Sequence, residues 1–250
     1  MVNKMVFKHD FYIGLKDINS NQQLKNKSML EFLENIACMH SDSVNLGLRH
    51  INESGVTWVL LDWKLEIIRR PVYGEKIEIH TWTHYTKTFY SYRDFEVYVE
   101  GYLCAKATSK WLLYNINTFK PERISQFLIN QYEPEEEKYV FDDMKLEKLK
   151  EQLEYDFEKE YKIKRSEIDI NGHLHNLNYL DIVNEMLSDE DYLNEPNNVR
   201  ITYKKEIKLK DIVKCLYKKE ENSHYFSLRS LDDKTVFSII EMKCYNSQLN

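Results

Sequence analysis

The chain repeats itself. Residues 16–34, KDINSNQQLKNKSMLEFLE, lie on residues 166–184, SEIDINGHLHNLNYLDIVN, at a constant offset of 150, so that Leu24 and Asn26 fall on Leu174 and Asn176, and Asn21 on Asn171. Each copy leads into apolar residues at helical spacing: Met29, Phe32, Leu33, Ile36 and Ala37 in the first, Leu177, Leu180, Val183 and Leu187 in the second. That spacing lays one apolar stripe along each helix, and a stripe has to be buried against something.

The segments that follow supply the partner. Residues 56–68, 76–83, 88–100 and 102–116 are rich in Val, Ile, Tyr, Trp and Thr, and the second half repeats this at 199–207, 212–219, 224–232 and 235–245. These read as strands. The unit in both halves is a short strand, a long helix and an antiparallel meander, an α+β pattern. A curved sheet wrapped around a buried helix satisfies it, because helix stripe and inner sheet face need each other. The expected organisation is one unit over 1–120, a linker over 121–160 and a second unit over 161–250. The linker carries Pro121, Pro134 and the run EPEEEKYVFDDMKLEKLKEQLEYDFEKE, which reads as a solvated, partly helical connection, with partner docking as the other reading.

A content of 42% hydrophobic and 13% aromatic residues is that of a folded globular chain. The net charge of −6, with no long block of either sign, argues against nucleic-acid binding. Cys38, Cys104, Cys215 and Cys244 are scattered with no C-x-x-C spacing, no apolar leader precedes Phe7, and no apolar run approaches a membrane span. The expectation is a soluble, reduced, cytoplasmic protein.

The copies differ where chemistry could sit. Asp169, Asn171 and His173 stand at alternate positions, so along an extended segment they would share a face; the first copy has Asn19, Asn21 and Gln23 there. The ionisable members have become neutral amides. Asp or Asn ahead of a helix is often only a cap or turn former, but a carboxylate, an amide and an imidazole on one face can also position water and move protons. His175 alternates with His173, yet the Cys and His partners of a metal site are missing, so no metal is expected. Trp58, Trp63, Trp82 and Trp111 read as core.

These segments resemble the acyl-acyl-carrier-protein (acyl-ACP) thioesterases of plants and bacteria, which are built as two tandem hotdog domains. The segment DINGHLHNLNYL is similar to the family's D-x-N-x-H-V-N-N followed by an aromatic residue and a helix, and YKKEIKLKD over 203–211 to its Y-R-R-E-C with a later Asp. The stretches TWVLLDWKLEIIRRPVYGEKIEIHTW, YRDFEV and GYLCAKATSKWLLYN follow the order of its amino-terminal domain. The resemblance implies a catalytic set of Asp169, Asn171, His173 and Glu206. Ile207 in place of Cys excludes a thiol nucleophile at that position, and His175 stands where Asn is usual.

The implied chemistry is thioester hydrolysis by activated water. Glu206, on a strand of the same unit, would take the proton from water, with either carboxylate left open as the base. His173 would bind the water, Asp169 would orient the imidazole, and Asn171 would donate to water or carbonyl. Free N–H groups near Asn176 would receive the thioester oxygen. An acyl tunnel in the first unit would be lined by Met29, Leu33, Ala37, Val59, Leu61 and Trp82. An acidic acyl carrier protein would dock on Arg69, Arg70, Lys204, Lys205, Lys208 and Lys210. No cofactor is implied, and the protein would be a monomer or homodimer. An acyl-coenzyme A hydrolase and a non-catalytic acyl-binding protein are the alternatives.

Overall fold

The computed structural model describes residues 6–143 and 145–244. The expected end of the last strand, at Tyr245, lies outside them. In chain order the first copy consists of β1 (Phe7–Tyr12), α1 (Asn26–Ser43), α2 (Ile51–Ser54), β2 (Val56–Ile67), β3 (Lys76–Lys87), β4 (Tyr90–Val99), β5 (Tyr102–Asn115) and β6 (Lys120–Pro121). After α3 (Gln126–Tyr132) the second copy consists of β7 (Phe157–Lys162), α4 (Asn178–Asn184), α5 (Asp189–Leu193), β8 (Asn198–Tyr203), β9 (Ile212–Glu220), β10 (Ser223–Ser230) and β11 (Val236–Lys243).

The strands form one sheet in the order β1-β3-β4-β5-β2-β8-β11-β10-β9-β7, with β6 on β5. Read outward from the β2–β8 junction, the two halves have the same order, and every pairing is antiparallel. The halves meet through backbone pairing of Asp62 with Thr202, Trp63 with Ile201 and Leu65 with Val199. The Thr202 hydroxyl also donates to Asp62 Oδ1 at 2.6 Å.

The α1 stripe is buried as its spacing requires: Met29, Leu30, Leu33 and Ile36 are fully covered, against inward residues of β2 to β5 such as Trp63, Phe95, Val97 and Ala105. Burial of four such side chains contributes about 1.5–3 kcal/mol each. In β2 the inward face changes phase. A bulge between Leu60 and Asp62 leaves Leu61 as the extra residue, so Leu60 points inward before it and Trp63, Leu65 and Ile67 after it.

The second copy departs from the expected long helix. Some 30 residues separate Asn26 from Val56, but 22 separate Asn176 from Asn198. The shorter chain allows only the seven residues of α4, after which Ser188 caps α5 by accepting from the Asp191 N–H. The connecting segment is helical in part, at α3, and many of its residues are exposed, Phe127 and Leu153 among them, but part of it is laid against the sheet. Its aromatic residues and carbonyls bind the sheet face opposite α1: Trp82 Nε1 donates to Lys138 O, Phe141 lies under the ammonium groups of Lys64 and Lys106, and Arg229 pairs with Glu151 at 2.7 Å. Asp94 is consequently buried on that outer face, accepting from the Val140 N–H.

Candidate active site

Residues 168–174 form a tight turn rather than the extended segment expected. Asp169 Oδ1 accepts from the N–H groups of Asn171 and His173 at 2.8 and 3.0 Å, and Gly172 takes the left-handed conformation, φ 81°, that closes the turn. Asp169 therefore holds the backbone. Both N–H groups bond Oδ1, while Oδ2 meets the Asn171 amide at 3.4 Å, so these bonds of the carboxylate are to the turn and not to the His173 ring.

The partner of His173 is Glu206, with Nε2 at 3.1 Å from Oε2. Glu206 lies past the end of β8 and not on a strand: residues 204–211 leave the sheet and run beside the turn, joined to it by the Leu174 N–H to Ile207 O bond at 2.8 Å and a bridge between His173 and Lys208. Successive side chains of this extended stretch face opposite ways. Ile207 is fully buried, and Glu206 is 63% exposed beside His173 at 27%. An Ile in place of Cys thus serves the core. Asn171 is exposed, its amide 3.4 Å from Asp169 Oδ2.

At the far end of the turn the chain enters α4. The Tyr203 hydroxyl donates to Asn176 O at 2.8 Å, and Tyr179 packs edge-on against Tyr203. Burial drives the Tyr203 phenol well above its ordinary pKa, so it remains a donor. A side chain absent from the expected set also reaches this point: Glu34 of α1, 19% exposed, has Oε2 at 3.7 Å from His175 Nε2. Burial raises its pKa, against the His175 ring and the Asn176 amide, which favour the charged form. The signal was an acid inside the apolar stripe, directly after Leu33 and one turn from Leu30.

The corresponding turn of the first copy repeats the backbone. Asn19 Oδ1 accepts from Asn21 and Gln23 N–H at 3.0 and 3.1 Å, and Leu24 N–H donates to Pro71 O as Leu174 N–H does to Ile207 O. Arg70 is therefore the counterpart of Glu206. Its guanidinium donates to Leu24 O, Asn26 Oδ1, Glu195 O and Pro196 O and lies 3.8 Å from Glu195 Oε2. The side chains are 10% and 7% exposed, which withdraws Arg70 from any docking surface. Arg69 is engaged by Glu75 and partly exposed; Lys204, Lys205, Lys208 and Lys210 are exposed around Glu206. In this copy the Asn26 N–H donates to Glu195 Oε2 at 2.6 Å.

A cleft of about 590 Å³, its open mouth included, lies in the first copy. It is lined by Ala37 and Cys38 of α1, Trp58 of β2, Arg93 of β4, Trp111 of β5 and Tyr132 of α3, among others. Of the expected lining residues, Ala37 is on its wall. Met29 and Leu33 are in the core under α1, and Trp82 is buried beside Lys138. Val59 and Leu61 are half-buried, on β2 ahead of and within the bulge. Burial pushes the Cys38 thiol up to about 11, which disfavours the thiolate at neutral pH. Arg93 is buried and its Nη1 donates to His40 Nδ1 at 2.8 Å; burial, then the adjacent guanidinium, holds His40 down to about 2, neutral. No group of metal-binding side chains occurs among the described residues.

Comparison with known proteins gives a consistent picture. Residues 4–132 match the family described as acyl-ACP thioesterase N-terminal domain, and residues 150–239 match the acyl-ACP thioesterase C-terminal domain. Oleoyl-acyl carrier protein thioesterase 1 of Arabidopsis thaliana is 24% identical over 84% of this chain and 63% of its own. A palmitoyl-acyl carrier protein thioesterase of Cuphea hookeriana is 23% identical over 70% and 45%. The chain thus spans less than two thirds of the length of these chloroplastic relatives. Among solved structures, an acyl-ACP thioesterase from Bacteroides thetaiotaomicron superposes with a TM-score of 0.85 at 22% identity, covering 95% of this chain and 97% of that one. The 12:0-ACP thioesterase of Umbellularia californica gives 0.79 at 19%, covering 95% and 96%. At these identities the likeness establishes the tandem hotdog fold.

Proposed function

Because the chain belongs to the acyl-ACP thioesterase family, we propose that it hydrolyses the thioester of a fatty acyl-ACP, releasing free fatty acid and ending chain elongation. The observation that carries this reading is the His173–Glu206 pair, 3.1 Å apart beside the turn built by Asp169. Water between the pair and the thioester carbonyl would give its proton to Glu206 or to His173, and Asn171 would hold it in line. The thiolate is a good leaving group and needs little help, so one base and one oxyanion site suffice.

The oxyanion site would be the Asn176 N–H at the entry to α4. Support comes from the other copy, where the matching N–H, that of Asn26, holds a carboxylate oxygen at 2.6 Å. A backbone that binds anionic oxygen there can bind a developing oxyanion here. The acyl chain would run along α1 toward the cleft, where Trp58 and Trp111 wall it and Arg93 and Tyr132 add polar groups. The lysines 204, 205, 208 and 210 would meet the acidic carrier protein.

The test is thiol release from matched acyl-ACP and acyl-coenzyme A thioesters of about eight to eighteen carbons. Faster release from the carrier-protein series, with an optimum length, supports the proposal. Preference for coenzyme A keeps the chemistry and removes the carrier. Acyl binding without release makes the protein a binding module.

A further inference from the structure

Glu34 is a mostly covered carboxyl group for which the proposed chemistry has no use. Leaving such a group at a junction of two copies costs stability unless its contacts do something. It projects from α1 of the first copy onto the turn of the second, beside the His175 ring and the Asn176 amide. The titratable groups facing it are His175 and Asp169 from that turn, Tyr203 from β8, and Glu31 and Cys38 of its own helix.

We propose that Glu34 is a positioning residue for the reaction: through His175 it fixes the end of the turn from across the junction between the copies, and with it the next residue, Asn176, whose N–H receives the thioester oxygen. The inference rests on the thioesterase reading above. The Asn176 carbonyl is held by the Tyr203 hydroxyl at 2.8 Å, and the ring of the preceding residue, His175, is met by Glu34 Oε2 at 3.7 Å. Neither holder comes from the turn itself, so the N–H is set by the sheet and by α1. Glu34 also precedes Cys38 by one helical turn on the same face, and Cys38 lines the cleft. The same helix therefore carries both the wall of the cleft and the group that sets the oxyanion donor. A displacement of that donor by about 1 Å is worth up to about a hundredfold in rate.

The experiment measures kcat and KM for the wild type and for Glu34→Ala, Glu34→Gln and His173→Ala, using purified acyl-ACP thioesters of about eight to eighteen carbons, with thermal melts of each variant. Glu34→Ala is expected to lower kcat about ten- to a hundredfold with KM within about threefold. Glu34→Gln, which keeps the size and a polar acceptor toward His175, should recover to within about fivefold of wild type. A wild-type kcat in Glu34→Ala overturns the inference. So does a Glu34→Gln rate as low as that of Ala in protein that melts like the wild type. A wild type that releases no thiol, and so no faster than His173→Ala, overturns the thioesterase reading itself and is thereby told apart.

Discussion

Asn19 and Asp169 each accept two backbone N–H bonds inside a turn of the same shape, yet beyond the turn the two copies part. Where the second has His173 facing Glu206, the first has Gln23 and the buried Arg70, whose guanidinium is spent on three carbonyls, the Asn26 amide and Glu195. One scaffold supports a solvent-reached His–Glu pair in one place and an internal clasp in the other. The turn's backbone is thus common to both copies, and they differ in the side chains at positions 23 and 173 and in what the neighbouring segment brings to them.

The largest expected effect tests that division directly. His173→Ala or Glu206→Ala should cost about 10²–10⁴ in turnover of acyl-ACP while the melt stays near that of wild type. Gln23→Ala, at the matching place, should leave turnover within about threefold. Comparable losses at positions 23 and 173 would mean that both turns take part in the reaction, and the comparison would break.

Arg70→Met should do the reverse. Removing one partner of a buried pair leaves Glu195 uncompensated, a loss of about 3–5 kcal/mol in urea unfolding, with residual folded protein still active. A neutral result would show that the clasp is replaceable by apolar packing.

Much of this was legible from residues alone. The strands lie on the β-branched and aromatic runs, although β8 stops at Tyr203 short of the expected 207, and the α1 stripe buries Met29, Leu33 and Ile36 as its spacing demands. From the residues alone the turn reads as extended, because alternation of Asp169, Asn171 and His173 looks the same in a strand and in a turn whose first side chain accepts from the N–H groups two and four residues on. Arg70 looked like a surface charge because nothing local reports that Glu195 and Pro196, far along the chain, close over it. The Leu61 bulge was equally silent: one extra residue reverses which side of β2 faces inward, and Val59 and Leu61 pass from expected wall to the other phase. Glu34 escapes the sequence for the complementary reason. An acid in an apolar stripe is a signal, but its partners lie on a turn of the other copy.

A smaller effect follows from the buried polar groups of the first copy. His40 titrates near 6.5 in the unfolded chain and at about 2 in the fold, where burial and then Arg93 oppose its protonation. Between those values the unfolded state holds the extra proton, so stability falls as pH falls through the window, by up to about 1.4 kcal/mol per pH unit. Urea midpoints at pH 7, 6, 5 and 4 should drop accordingly. His40→Gln, which still offers Arg93 an acceptor, should flatten the part of the slope that His40 contributes; an unchanged slope would assign the acid loss to other groups.

The smallest effect separates backbone work from charge. If Asp169 only organises the turn, an amide should do as well, since Asn19 does so with bonds of 3.0 and 3.1 Å against 2.8 and 3.0 Å for the carboxylate. Asp169→Asn keeps both acceptor bonds and is expected to shift stability by less than about 0.5 kcal/mol. Asp169→Ala loses both and should cost about 1–3 kcal/mol. With the turn intact in Asp169→Asn, any change in kcat measures the carboxylate's charge alone, a quantity that Asp169→Ala cannot isolate. A rate within about tenfold of wild type leaves Glu206 as the working carboxylate. A loss of about 10³ would give Asp169 a chemical role in addition to its two backbone bonds, and the two turns would then differ in their first residue as well as in their neighbours.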